Sequence, residues 1–341
     1  MKGIPALPQA WYVLGLSKEF KDKPVSYKLL GKKIVVWRNE KEQLNAQSAN
    51  CPHMGVNLAN GGKIKNGCLE CPLHGWRFDD KGNCVEIPLD QGHPKPEFAR
   101  LKNYPVKERH GIAFIWNGVE PLYPLPFFEG EDESQYEASK VAPVFQETSW
   151  FGPAVNAFDI AHFIFSHNRI PYKESDIDLS NKYVAKVKHY YRVIGKYWFE
   201  KLLAKMFGDK IELTAEIYSG ATILTRSHLG KFSNYMITHL TPCEKGTGRS
   251  DLIIYKKKGG LFTNLINKIM MPIQLEACRK IFQDESDELK EGYISEKTLH
   301  PVTDKDVKRY LNWFKEAHSN SQIENSIQKR QIFENKEFEL H

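Results

Sequence analysis

Two short Cys-Pro loops constrain this chain more than any other feature of its sequence. Residues 51–76 read CPHMGVNLANGGKIKNGCLECPLHGW, with Cys51 and His53 as C-x-H, then seventeen residues, then Cys71 and His74 as C-x-x-H. Only six cysteines occur in the 341 residues. Clustered Cys and His in a reducing compartment point to a metal site rather than to disulfides. The stretch therefore predicts one metal site built by two loops.

Two thiolates and two imidazoles can hold either zinc or a [2Fe-2S] cluster. Zinc ribbons use paired C-x2-C loops, whereas each pair here offers one thiolate and one imidazole. In a cluster with such ligands two Cys bind one iron and two His bind the other, which raises the reduction potential. The mixed pairs favour the cluster, with Trp76 placed to shield it from water. Cys68 and Cys84 fit neither pair and are expected to be ordinary strand residues.

The motif resembles the Rieske iron–sulfur domain of Rieske non-haem iron ring-hydroxylating oxygenases. The resemblance covers the first third of the chain and implies one [2Fe-2S] cluster per chain, held by the two Cys and two His of the loops. The residues favour a small all-β domain, because short strand-like runs separated by glycine and asparagine turns fill 1–120. A hairpin is expected at 26–39, turning at 31–33, and a buried strand at 111–118.

The pattern of residue types changes in the second part of the chain. PLYPLPFFEGEDES has three prolines followed by an acidic run, which indicates an interdomain connection. Beyond it, five runs with period-two alternation predict an antiparallel sheet. Helices are expected at 155–167, 261–292 and 303–318, the last with Thr303 as its N-cap. The predicted boundaries are 1–120 for the Rieske [2Fe-2S] domain, 121–145 for the connection, 146–318 for a catalytic mononuclear iron domain and 319–341 for a polar tail. The predicted fold class is α+β, an N-terminal all-β domain followed by an antiparallel sheet with helices, helix-grip-like.

A second motif lies at the start of the predicted catalytic domain. VNAFDIAHFIFSH supplies Asn156, Asp159, His162 and His167 as N-x2-D-x2-H-x4-H. Two His with a carboxylate from elsewhere form the 2-His-1-carboxylate site of non-haem Fe(II) oxygenases, which leaves positions open for O2 and substrate. On a regular helix, five residues turn about 140° beyond a full circle. A π-type turn is therefore predicted to bring the two His together.

The family resemblance extends to this second motif and implies one mononuclear Fe(II) per chain. It implies that Asp159 connects the cluster of one subunit to the iron of its neighbour by hydrogen-bonding a His of each. This role requires a head-to-tail homotrimer, which the resemblance also implies. Asn156, at the first position of the motif, is grouped with Asp159 as a catalytic candidate.

The third iron ligand is expected in the sequence IFQDESDEL, since the family has a carboxylate late in the chain, near the start of a helix. Counting from Phe282 places Glu285 at the ligand position. The residue type usual in the family favours Asp284 instead. Both carboxylates remain candidates from the sequence, and Asp287 and Glu288 are expected to be solvated helix charges.

Together the two motifs predict a terminal oxygenase that uses O2 to hydroxylate or demethylate a largely apolar aromatic or alicyclic molecule. Cis-dihydroxylation is a further option, although the short chain resembles the monooxygenase and O-demethylase branch. The alternative is a Rieske electron carrier or redox-sensing protein without oxygenase chemistry. The pair His162 and His167 favours the oxygenase, because a pure carrier has no use for it.

The inner face of the predicted sheet is expected to line the substrate pocket. The residues of one parity on two of its runs are Ile223, Thr225, Tyr235, Ile237 and His239. Such a lining favours an apolar substrate with a few polar anchors.

The remaining composition narrows the expected partners. No G-x-G-x-x-G follows a strand, and the resemblance implies a separate NAD(P)H-dependent reductase, with or without a ferredoxin. The net charge is +6, but no dense Lys/Arg block interleaves with aromatics, so nucleic-acid binding is not expected. Neither a signal peptide nor a transmembrane segment is expected, and the cytoplasm is the expected compartment.

Overall fold

The chain folds into two compact units. The computed structural model describes residues 8–21, 23–243, 247–290, 292 and 295–318. Gln9–Leu125 form one unit, and the described residues from Pro126 onward form the other. The polar tail predicted at 319–341 lies outside the described residues. The predicted α+β class is confirmed, since antiparallel sheets dominate and helices occur in the second unit.

Three small antiparallel sheets build the unit Gln9–Leu125, in the orders β1-β11-β10, β2-β3-β4-β9 and β5-β6-β7-β8. The expected hairpin is present, but it turns at Leu30 and Gly31 rather than at 31–33. Both residues have positive φ, 51° and 78°, which is the backbone that a two-residue hairpin turn requires. The strands are β1 (Trp11–Leu16), β2 (Val25–Leu29), β3 (Lys32–Arg38), β4 (Leu44–Ser48), β5 (Lys63–Lys65), β6 (Cys68–Glu70), β7 (Arg77–Phe78), β8 (Cys84–Glu86), β9 (Asn103–Tyr104), β10 (Val106–Arg109) and the fully buried β11 (Ile112–Trp116).

One eight-stranded antiparallel sheet forms the frame of the second unit. Its order is β12-β19-β18-β17-β16-β15-β14, and β13 also pairs with β19. The five strands predicted from alternation are all present in it. The strands are β12 (Tyr136–Ala138), β13 (Ala142–Gln146), β14 (Arg169–Asp178), β15 (Val184–Val193), β16 (Lys210–Tyr218), β17 (Thr222–Leu229), β18 (Phe232–Pro242) and β19 (Gly248–Lys257).

The second unit also contains five helices among its described residues. They are α1 (Gly152–Asn156), α2 (Ile160–Phe165), α3 (Trp198–Phe207), α4 (Leu261–Glu288) and α5 (305–318). Leu203, Ala204 and Phe207 of α3 pack on a cluster that includes Ile211 and Leu213. Among the described residues, none of the helices combines the length and the apolar content that crossing a membrane requires.

Met271, Leu275, Cys278 and Phe282 of α4 pack on a cluster that includes Met236 of β18. Leu213 is the cross-strand partner of Ser227, and Ser227 is in turn the partner of Asn234. Asn234 lies two residues from Met236 on the same strand. Because side chains of paired residues lie on one side of a sheet, α3 and α4 cover the same face, with a space between them.

Several sequence predictions need correction here. The segment 121–145 is not a connection throughout, because β12 and most of β13 pair with β19. These two short strands were not recognised in the sequence because prolines and acidic residues adjoin them. Strand β14 and helix α3 were not predicted. Helix α5 begins after Asp304, whose carbonyl accepts from the Lys308 N–H, so Thr303 is not the N-cap.

Candidate active site

The two Cys-Pro loops adopt the same hydrogen-bonded hairpin. In the first loop the Cys51 N–H donates to the Val56 carbonyl at 2.8 Å and the Gly55 N–H donates to the Cys51 carbonyl at 2.9 Å. In the second loop Cys71 makes the equivalent bonds with Trp76 and Gly75, at 2.8 and 3.0 Å. Both glycines have positive φ, 71° and 70°, a conformation that glycine adopts without steric cost. The spacing Cys-Pro-x-x-Gly thus determines the shape of each loop.

These loops place two thiols and two imidazoles together in matched pairs. Cys51 and Cys71 are buried, whereas His53 and His74 are exposed, with ring centroids 4.7 Å apart. The buried Trp76 ring stacks on His53 at 4.6 Å with an angle of 5° between the planes. Trp76 therefore covers one side of the imidazole pair, close to the shielding position that was predicted for it.

The four side chains fit the ligand set of a Rieske cluster. Burial raises the pKa of the Cys51 thiol to about 11, and the nearby Cys71 thiol contributes to the rise. Such a thiol is protonated at neutral pH unless a metal binds it, because a metal stabilises the thiolate. Two adjacent thiols and two adjacent imidazoles match a cluster in which each pair binds a different iron. Cys68 and Cys84 lie in strands β6 and β8, as expected, and Cys84 belongs to the same buried cluster as Cys51 and Cys71.

The second motif does not form one helix. Helix α1 ends at Asn156, and α2 begins after Asp159, whose carboxylate Oδ1 accepts from the His162 backbone N–H at 3.0 Å. Asp159 is therefore the N-cap of α2, a position that aspartate favours because it satisfies a free N–H group. The bridging role predicted for Asp159 stays a prediction.

The predicted π-type turn is absent from this segment. Helix α2 ends at Phe165, where the Ser166 N–H donates to the His162 carbonyl at 2.8 Å in the ordinary i to i−4 pattern. His167 follows in the turn beyond the helix end. The chain brings the two His together by stopping the helix rather than by distorting it.

Three side chains converge at this turn. The Nε2 atoms of His162 and His167 lie 3.0 Å apart. Oε1 of Glu285 lies 3.0 Å from Nε2 of His167 and 3.8 Å from Nε2 of His162. All three ligand atoms lie within 4.8 Å of one another. Glu285 reaches them from near the end of α4, not from near a helix start as expected.

The charge on Glu285 suits a metal ligand. Burial acts to raise its pKa, but hydrogen bonds from His162 and His167 outweigh burial and lower the pKa to about 2. The carboxylate is therefore ionised at neutral pH in a largely buried site. Two imidazoles and one carboxylate on one side of a cavity fit the facial set that binds non-haem Fe(II).

Asp284, the other carboxylate candidate, is not brought to the two His. Its Oδ2 accepts a hydrogen bond from the Tyr197 hydroxyl at 2.6 Å. Glu288 is exposed and pairs with Lys196 at 2.7 Å rather than joining the three converging ligand atoms. Adjacent residues differ by about 100° around a helix, which explains why Asp284 and Glu285 face different neighbours.

The His pair rests on residues that the sequence did not single out. His189 of β15 lies within hydrogen-bond distance of the Ala157 carbonyl, 2.8 Å from its Nε2, and Nδ1 lies 2.7 Å from the Ser175 hydroxyl. Burial lowers the pKa of His189, so it is neutral at pH 7. Phe163 packs between His167 and His189, with centroids 5.5 and 5.1 Å away. The alternation of β15 could have shown that His189 faces α2.

A cavity of about 170 Å³ leads from the three converging side chains along the covered face of the sheet. Its walls are mostly apolar, with Thr225, Ser227, Asn234 and Arg169 as polar members. The predicted lining is correct for Ile223 and Thr225. It is wrong for the three residues of β18, because Ile223 pairs with Thr238 and Thr225 with Met236. Tyr235, Ile237 and His239 have the opposite parity and so face away.

Arg169 brings the only guanidinium among the pocket-lining residues that the structure describes. One of its terminal nitrogens donates to Glu200 Oε1 at 3.2 Å, while the Nε atom is buried without a hydrogen-bond partner. Nδ2 of Asn156, another lining residue, is also buried and unpaired. Buried donors without acceptors are costly, so this wall suits a molecule that brings an acceptor.

Comparisons with known proteins indicate the class of protein that this chain resembles. The model of the Rieske [2Fe-2S] domain family matches residues 10–105. Aminopyrrolnitrin oxygenase PrnD of Pseudomonas fluorescens is 27% identical over an alignment of 292 residues that covers 79% of this chain and 80% of that protein. The oxygenase component of 3-ketosteroid-9-alpha-monooxygenase from Rhodococcus rhodochrous is 35% identical over an alignment of 170 residues that covers 48% of this chain and 44% of that protein.

The fold agrees with these relatives. The crystal structure of dicamba monooxygenase bound to dicamba superposes with a TM-score of 0.65 at 18% identity, covering 92% of this chain and 98% of that one. The resemblance predicted from the two motifs is confirmed: the chain has a Rieske [2Fe-2S] domain, and its relatives and structural neighbours are Rieske-type oxygenases, which are oxidoreductases. The alternative of a Rieske protein without oxygenase chemistry is disfavoured by the same relatives.

Proposed function

We propose that this chain is the terminal component of an oxygenase that holds a mononuclear Fe(II) between His162, His167 and Glu285. The observation that carries the proposal is the convergence of these three ligand atoms at the inner end of the cavity. A bound Fe(II) would supply the activation of O2 and the oxidation of substrate at this point. The cluster ligands Cys51, His53, Cys71 and His74 would receive the electrons that this chemistry consumes.

The roles of the protein residues follow from their positions. Glu285 is ionised and offsets part of the charge of a divalent cation. His189 and Phe163 hold the α1–α2 turn and the His167 ring in place, which fixes the ligand geometry. Asp159 caps α2 through one carboxylate oxygen. Its second oxygen would serve as the acceptor that links an iron ligand to a cluster His of a neighbouring subunit in a homotrimer.

The pocket indicates the substrate class. Its apolar walls and its volume of about 170 Å³ suit a small apolar molecule, aromatic or alicyclic. The unpaired donors of Asn156 and Arg169 suit a substrate with a hydrogen-bond acceptor. Two relatives are named for oxidation of an amine-bearing compound and of a ketosteroid, and the structural neighbour is named for dicamba.

The reaction we propose is monooxygenation, either as hydroxylation or as loss of a methyl group after its oxidation. Dihydroxylation remains the second outcome of the same site. Electrons would come from a separate NAD(P)H-dependent reductase, with or without a ferredoxin. The proposed compartment is the cytoplasm, whose reducing conditions keep the cluster thiols free before metal insertion.

The test is a screen of small aromatic and alicyclic compounds with a surrogate reductase and NADH. Substrate-dependent oxygen uptake with a product heavier by one oxygen, or lighter by a methyl group, supports the proposal. A product with two added oxygens selects dihydroxylation. Reduction of the cluster without any substrate-dependent oxygen uptake across the screen would favour the electron-carrier alternative.

A further inference from the structure

The first half of helix α4 has its apolar residues on the outside. Seven large apolar side chains between Leu261 and Ile273 are exposed, from 42% to 93%. The buried side includes Asn267, which donates to the Lys257 carbonyl at 3.0 Å, and Met271. A surface helix of a globular protein has the reverse pattern. The exposed residues are Leu261, Phe262, Leu265, Ile266, Ile269, Met270 and Ile273.

Helix α3 adds a second exposed apolar row. Trp198, Leu202 and Met206, each four residues apart, are 76%, 46% and 63% exposed, while the opposite side of α3 packs on the sheet. The end of α3 and the start of α4 lie at the same end of the sheet, because Phe207 and Lys256 both contact the Phe232 ring. We call these ten exposed side chains of α3 and α4 the outer apolar face.

The charged side chains along the outer apolar face are mostly lysines, and the acids at its ends, Asp209 after α3 and Glu276 beyond Ile273, pair with Arg192 and Arg279. Lys258, just before α4, and Lys268 on α4 flank it, and no Asp or Glu occurs between Asp251 and Glu276. On α3 the exposed charges are Lys201 and Lys205, since the single acid of that helix, Glu200, is buried against Arg169. Exposed apolar patches of this extent mark interaction sites, and a lysine border favours an anionic surface.

We propose that the outer apolar face docks on the surface of an anionic lipid membrane. Helices that lie in a membrane interface combine Trp, Phe and Leu on one side with lysines at the border, which is the composition found here. Helix α4 also lines the cavity through Cys278, Ile281 and Phe282. Docking would therefore bring the wall of the pocket close to lipid-dissolved apolar molecules. The docking itself does not depend on the proposed oxygenase activity.

The test is cosedimentation of the full-length, cluster-containing protein with two kinds of vesicle, phosphatidylcholine alone and phosphatidylcholine with about 30% phosphatidylglycerol. We expect stronger binding to the anionic vesicles, weakened by salt. The double variant L265S/I269S should bind at least about tenfold less to both, since each buried methylene contributes to anchoring. K268Q should lose about fivefold on anionic vesicles only.

The matched control is L89S/V302S, which removes two side chains that are 97% and 70% exposed but lie outside the outer apolar face. It should bind as the unmodified protein does, and the cluster absorbance of every variant reports folding. The proposal is overturned if the full chain does not bind anionic vesicles, or if L265S/I269S binds them as strongly as the control does. It is also overturned if L265S/I269S instead lowers the oligomer mass, because a second copy of the chain then covers this face.

Discussion

Replacing Glu285 by Gln tests which carboxylate completes the proposed iron site. The substitution keeps the shape of the side chain but removes its charge, which lies 3.0 Å from Nε2 of His167 in a largely buried position. Partners that only support metal ligands are worth about 10- to 100-fold in metal affinity. Loss of the charged ligand itself should have a larger effect than this. We therefore expect the affinity for Fe(II) to fall by more than about 100-fold, or about 2.7 kcal/mol.

The matched control is Asp284→Asn, one residue away on the same helix. Asp284 accepts from the Tyr197 hydroxyl at 2.6 Å, so its neutralisation converts a charged hydrogen bond into a neutral one. We expect a cost of about 1 kcal/mol in the free energy of unfolding and no loss of iron.

Both variants are assayed for iron and acid-labile sulfide after passage over a chelating resin. Glu285→Gln should fall from about three irons per chain to about two, with unchanged sulfide, since the cluster keeps its two. Asp284→Asn should retain about three irons per chain. The reasoning fails if Asp284→Asn loses the iron and Glu285→Gln keeps it.

Three further predictions concern the same two centres. His162→Ala should abolish substrate-dependent oxygen uptake while the visible absorbance of the cluster persists; parallel loss of that absorbance would contradict separate sites. Asp159→Asn retains a capping residue but removes the charge, so iron and sulfide should stay constant while turnover falls about 10- to 100-fold; unchanged turnover would refute the bridge. Gly62→Ala places a Cβ against the Leu58 carbonyl and should lower the melting temperature of the protein, whereas Gly260→Ala, at the N-cap of α4 with open space for a Cβ, should lower it much less.

The metal loops were predictable from the sequence because their chemistry and their backbone depend on the same few residues. The Cys and His are the proposed ligands, and Gly55 and Gly75 permit the turn that brings them together. A Cys-His pair of this kind can be recognised without knowing how distant parts of the chain fold. The loop that carries Cys71 repeats the hydrogen bonds of the first loop for the same local reason.

The proposed third iron ligand, a carboxylate, shows what helical spacing can predict. Counting from Phe282 selected Glu285, and both residues line the cavity in the structure. Residue type selected Asp284, whose side chain lies beside Tyr197 instead. Position around the helix was the better guide, because the face of a helix decides what a side chain can reach.

Other details depended on tertiary structure and could not be predicted. The end of α2 at Phe165 takes the place of the predicted π-type turn. The break before Asp159 was missed because an N-cap inside an apolar run leaves the helical periodicity unchanged. The parity of β18 was misjudged because the register across the β17–β18 turn fixes which residues share a face. Strand β14 is exposed, contains Pro171 and pairs irregularly with β15, so it lacks the alternation of a buried strand.

The measurement that tests the central claim most directly is iron and sulfide analysis of the purified protein, with magnetic resonance before and after dithionite reduction. Two separate centres predict about three irons and about two sulfides per chain, and a paramagnetic cluster signal that appears on reduction. Two irons with two sulfides would remove the mononuclear site. Zinc in place of iron, with no signal on reduction, would contradict the whole account.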